Sequence, residues 1–184
     1  MTNKGKVFTM AAAAVLCAIG IIIPMFSPLK ILLEPASFTL ASHVAIFIAM
    51  FISPLVAVAV SLGTTAGFFL GGFPIVIVLR AATHVIFALC GALVLRKKPH
   101  LLESALPALV FSFLLGILHA LCEVLVVTPF YFTANMAQGY YARGFVVSVL
   151  LLVGVGSVIH SMVDFAISLA IWRPLGKFIA RIRA

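Results

Sequence analysis

Two pairs of polar residues stand four apart inside apolar sequence: His119 and Glu123 in "LHALCEVLVV", and Arg80 with His84 in "LRAATH". Spacing of four puts each pair on one face of a helix, so each is a two-group unit. A carboxylate with an imidazole can relay a proton or hold a hydroxyl, and an arginine grips a carboxylate. A third pair, His160 and Asp164, has the same spacing, and His43 stands alone at the start of an apolar run. Ser157 and His160 in "GVGSVIH" have the types of a nucleophile and its base, but no third group or nucleophile elbow accompanies them. A glutamate facing lipid costs roughly 2.5–3.5 kcal/mol on insertion scales, so Glu123 must face a polar interior.

The surroundings that impose this are extreme. The chain has 184 residues, 65% apolar and 9% charged, with mean hydropathy +1.33. Soluble domains carry roughly 25% charged residues, so this is an integral membrane protein. The net charge of +8 comes from basic residues clustered at segment ends, "KGK" at 4–6, "RKK" at 96–98 and "RPLGKFIARIRA" at 173–184. Such clusters orient a chain in a membrane, and nucleic-acid binding is not indicated. Cys17, Cys90 and Cys122 lie in apolar runs as reduced packing residues. The basic N-terminus before an apolar stretch resembles a signal peptide, but no small-residue cleavage site follows, and the stretch reads as a retained first helix.

A helix needs about 20 apolar residues to cross the hydrocarbon. Punctuation by proline and glycine divides the chain into six spans: about 7–26, 38–53, 54–71, 74–95, 105–127 and 146–171. The expected fold is an all-α integral membrane protein, one domain over residues 1–184, with six transmembrane helices. With the N-terminus in the cytoplasm, Lys4, Lys6, Arg96, Lys97, Lys98, Arg173, Lys177, Arg181 and Arg183 lie inside, and only Lys30 and Arg143 outside. That asymmetry places both termini in the cytoplasm.

The orientation gives depths. His43, Thr64, Arg80, His84, His119 and Glu123 come from four helices to a similar outer level, with Thr65 beside them. His160 and Asp164 fall deeper, at mid to inner level. Taken singly, each histidine suits a packing role, and Arg80 with Glu123 suits a structural ion pair. Their convergence points to a ligand cavity open to the outside. The outer loop "YFTANMAQGYYARG" brings Tyr140 and Tyr141, aromatics able to stack on a ring. "GTTAGFFLG" spaces Gly63, Gly67 and Gly71 for close helix approach. No phosphate loop, HExxH helix or Cys/His cluster occurs, so no ATP use by that route, no cofactor and no metal is expected.

On its six short helices, its first helix with Ala14-xxx-Ala18, and the stretches "EPASFTLASHVAIFIAMFISP" and "LRAATHVIFALCGALVLRKK", the chain resembles the substrate-binding S components of energy-coupling factor vitamin transporters. The resemblance covers nearly the whole chain. It implies a non-catalytic subunit in a bacterial cell membrane, with a vitamin bound near the outer face. It implies a membrane coupling subunit and two ATPases as partners, docking through Ala14 and Ala18, and inward release by toppling. Metal-importing relatives begin Met-His, whereas this chain begins "MTNKGK". Because Glu123 can neutralise Arg80, a neutral ring with hydroxymethyl groups, pyridoxine or hydroxymethylpyrimidine, is preferred over niacin or pantothenate. The alternatives are a stand-alone carrier or channel working without ATP, and a structural subunit without a ligand.

Overall fold

The computed structural model describes residues 3–33, 36–133, 136 and 138–183. Helices dominate: α1 (Asn3–Phe26), α2 (Val44–Ile52), α3 (Pro54–Leu70), α4 (Ile75–Lys97), α5 (Ala105–Phe132) and α6 (Gly156–Arg183). A π-helical stretch, Val146–Val155, runs directly into α6. Among the described residues, four helical stretches have the length and apolarity to cross a membrane: Gly5–Phe26, Ile75–Lys97, Ala105–Phe132 and Val146–Gly176. Helix α3, at 17 residues, sits at the lower edge of the spanning range.

The second predicted span departs from expectation. Residues 38–43 are not helical: β1 (Lys30–Leu33) and β2 (Ala36–Thr39) form an antiparallel hairpin with Lys30 opposite Thr39, and a turn leads to α2. Helix α2 has 9 residues, about 14 Å at 1.5 Å per residue, half a bilayer core. It is apolar on every side, and Val44 to Met50 are all buried. A helix without a polar face belongs in the middle of a bundle, and α2 packs against α1, α3, α4 and α6. Ser53 ends it and starts α3: its hydroxyl accepts the Val56 amide at 3.3 Å, and Pro54 takes the first helical position.

The glycines of "GTTAGFFLG" receive α1. A Cβ at Gly63 would lie 2.6 Å from Sγ of Cys17, and one at Gly67 would lie 2.2 Å from Cδ1 of Ile21. Cys17 and Ile21 are themselves four apart, so one turn of α1 drops into one turn of α3. Ala14 and Ala18 point away from this contact and are exposed.

Below the polar residues the bundle is filled by aromatic rings. Phe47 stands 5.5 Å from Phe87 and 5.3 Å from Phe165, centroid to centroid. At the far end Trp172 of α6 packs on Phe51 beside a second hollow lined by Arg96, Glu103 and Arg173.

Candidate functional site

Glu123, 3% exposed, is the hub of the first polar group. Arg80 on α4 reaches it with one edge of the guanidinium, Nε to Oε1 at 3.1 Å and Nη2 to Oε2 at 3.0 Å. Ser157 on α6 donates a hydrogen bond to Oε2. His119, one turn back on α5, brings Nε2 to 3.4 Å from Oε1, and His84 brings Nε2 to 3.8 Å. Neither approach is a hydrogen bond: among the described residues, both ring nitrogens of both histidines lack a hydrogen-bond partner.

Asp164 of α6, fully buried, is the hub of the second group. Its Oδ1 accepts the Ala41 amide at 2.8 Å, and its Oδ2 accepts the His43 amide at 2.9 Å. His43 Nδ1 lies 3.1 Å from the same Oδ2. The turn before α2 is non-helical backbone at the edge of an apolar bundle, where its amides need acceptors from elsewhere in the protein. Asp164 supplies the missing acceptor. The same carboxylate holds Ala41 at φ 66°, a left-handed conformation that costs a non-glycine residue about 1–2 kcal/mol. Ser42 completes the group, with Oγ 3.0 Å from His160 Nε2.

The two groups meet through His43. Its ring centroid is 4.8 Å from that of His84, 4.8 Å from His119 and 5.0 Å from His160. Four of the chain's five histidines therefore form one cluster, resting on Phe87, whose ring is 4.8 Å from His119. His160 and Asp164 consequently belong with the others, and the deeper level expected for them is corrected. Two features account for this. The hairpin and turn occupy the positions assigned to the top of helix 2, which sets His43 further into the bundle. The i→i+5 bonding of Val146–Val155 puts more residues into each turn, so that stretch descends less than an α-helix of equal length.

A cavity of about 110 Å³ opens among these residues, lined by His43, Thr64, Arg80, His84, Glu123, Ser157 and His160, with Phe38, Phe68 and Phe73 as apolar walls. Thr64, 3% exposed, has a hydroxyl without a hydrogen-bond partner. Arg80 Nη1 makes no hydrogen bond among the described residues. Of the residues singled out in the sequence, His43, Thr64, Arg80, His84 and Glu123 line this cavity, and His119, 1% exposed, stands just behind it. Thr65 instead bonds back to the Ser61 carbonyl at 2.8 Å.

Tyr140 and Tyr141 do not line it. Tyr141 packs tilted against Tyr131, ring centroids 5.0 Å apart, and accepts the Met136 amide at 3.2 Å, so its ring is used in packing the loop after α5. Ser157 is no nucleophile paired with His160, because its hydroxyl is committed to Glu123. Sequence reasoning missed Ser42, Phe38, Phe68 and Phe73 as wall residues. For Ser42 and Phe38 a signal exists: "PASFTLAS" carries turn-forming residues within a supposed span.

The chain is 43% identical over 176 residues to the niacin transporter NiaX of Lactococcus lactis subsp. cremoris (strain MG1363), covering 96% of this chain and 78% of that one. The chain belongs to the S components of energy-coupling factor transporters. No family model and no solved structure matches it. As an S component it is a vitamin transport protein of the membrane, and the cavity at the meeting of α2, α3, α4, α5 and α6 is its candidate binding site.

Proposed function

We propose that this S component binds niacin in the cavity beside Arg80. The observation that carries the reading is an arginine inside the bundle that lines the cavity and makes no hydrogen bond through Nη1 among the described residues, in a chain 43% identical to a niacin transporter. Niacin is a single pyridine ring with one acid group. Glu123 fixes the guanidinium in place through Nε and Nη2, and the remaining edge donates to the ligand's carboxylate or amide oxygen. Thr64 and the histidines supply donors for the ring nitrogen and the second oxygen, while Phe38, Phe68 and Phe73 enclose the ring faces. The small cavity favours one ring over a longer molecule. This reading replaces the preference for hydroxymethylated rings drawn from the charge of Glu123 alone.

The subunit hands its ligand inward with a membrane coupling subunit and two ATPases, which dock against the exposed face of α1 at Ala14 and Ala18. Both termini and the Trp172 end lie in the cytoplasm of a bacterial cell, and the hairpin end faces outward. The test is calorimetry on the purified chain in detergent, with niacin, nicotinamide, pyridoxine and pantothenate. Niacin or its amide binds most tightly. Binding of pyridoxine with no response to either pyridine-carboxyl compound would overturn the assignment.

A further inference from the structure

We propose that His43, His84 and His119 form a binding site for one divalent transition-metal ion in the floor of the cavity, with a coordination position left open toward the cavity. One ring nitrogen from each of the three lies within 4.8 Å of the other two. All three histidines are more than nine-tenths buried, at 7%, 7% and 1% exposure. Among the described residues neither nitrogen of His84 or His119 has a hydrogen-bond partner, so four polar ring atoms are buried without one there. Buried polar atoms are rarely left so, and Glu123, the carboxylate nearest both rings at 3.4 Å from His119 Nε2 and 3.8 Å from His84 Nε2, already accepts from Arg80 and Ser157.

The donor set selects the ion. Three imidazoles without thiolate suit Zn²⁺, Co²⁺ or Ni²⁺, and the absence of several carboxylate oxygens at the centre disfavours Mg²⁺ and Ca²⁺. With metal–nitrogen bonds of about 2.0–2.1 Å, tetrahedral geometry sets ligand nitrogens about 3.4 Å apart, which asks each ring to move by less than about 1 Å. Side-chain rotation covers that. The outer shell is already built: His43 holds Asp164 through Nδ1 at 3.1 Å, the carboxylate–imidazole arrangement that fixes a ligating ring and raises its basicity. Glu123, which Arg80 also holds, lies 3.4 Å from His119 and adds a second carboxylate beside the site. Because His43 and His84 line the cavity, the fourth position opens into it, where an oxygen or ring nitrogen of a bound molecule completes the tetrahedron. The site shares His43 and His84 with the proposed vitamin cavity, and binding of the ion to the chain alone is read without any vitamin present.

The test uses the purified full chain, stripped with EDTA and titrated with Zn²⁺ or Co²⁺ alone. Calorimetry should show one Zn²⁺ per chain, and Co²⁺ should give the intense visible bands of a four-coordinate ion. His84→Gln and His119→Gln should each abolish stoichiometric binding, while His160→Gln retains it. Gel filtration and melting confirm that each variant is folded. Absence of stoichiometric Zn²⁺ binding by the folded chain would overturn the proposal, as would the weak spectrum of six-coordinate Co²⁺. So would loss in His160→Gln with retention in His84→Gln and His119→Gln, because that places the ion at the neighbouring group His43, His160 and Asp164.

Discussion

Removing one half of the Arg80–Glu123 pair should cost far more stability than removing both. The side chains are 15% and 4% exposed, and two charge-assisted hydrogen bonds join them. Truncating one partner of a buried pair costs about 3–5 kcal/mol, because the survivor keeps its charge in an apolar setting. The two truncations are not equivalent here. Without Arg80, Glu123 still accepts from Ser157 and has His119 at 3.4 Å, so Arg80→Met should fall nearer about 1.5–3 kcal/mol. Without Glu123, Arg80 loses the acceptor of both its bonds, and Glu123→Met should reach the upper figure. At about 2–4 °C per kcal/mol for a chain of this size, Glu123→Met lowers Tm by about 10–20 °C. The double replacement removes both charges and should recover at least about 2 kcal/mol relative to the sum of the singles. Thermal unfolding of the four proteins in one detergent measures the cycle. Additive losses would show that the two side chains do not pair in the folded protein, and the geometry assigned to the cavity would fall with them.

Three further outcomes are expected. Arg80→Met should weaken niacin binding by about 10- to 150-fold, the equivalent of one charge-assisted hydrogen bond, with the loss read by calorimetry on the folded variant. Ala41→Gly should raise stability by up to about 1 kcal/mol by relieving the left-handed backbone at φ 66°; a loss of stability would mean that the turn adopts another conformation. Ala14→Leu with Ala18→Leu should leave niacin binding intact and abolish ATP-driven uptake by cells, since both positions are exposed on α1; loss of binding instead would place them inside the fold.

Much of this arrangement is legible in the sequence, and the exceptions share one physical origin. Long apolar runs bounded by proline and glycine mark α1, α4 and α5 closely, because a lipid-facing helix must be apolar along its whole length. The i,i+4 pairs of α4 and α5 announce their common face for the same reason. The stretch 38–43 escapes this reading, since its backbone is sheltered by protein rather than by its own helical hydrogen bonds. Its acceptor, Asp164, lies more than a hundred residues away. Hydropathy cannot register a turn satisfied from another helix, nor a π-helical stretch that alters the depth of everything after it. The histidine cluster is hidden likewise: its members come from the start of α2 and from α4, α5 and α6, so no local spacing reveals it.

The single tryptophan has a practical meaning for anyone studying this protein with light. Trp172 lies 15 residues beyond Ser157 on the same helix, about 22 Å along its axis. Its indole therefore sits among Phe51 and the charged residues of the opposite hollow, remote from the cavity. Quenching on addition of a vitamin would signal a rearrangement carried through the whole bundle rather than direct contact. The same emission is well placed to watch events at the Trp172 end, and a tryptophan introduced at Phe73, in a Trp172→Phe background, would move the reporter to the cavity wall.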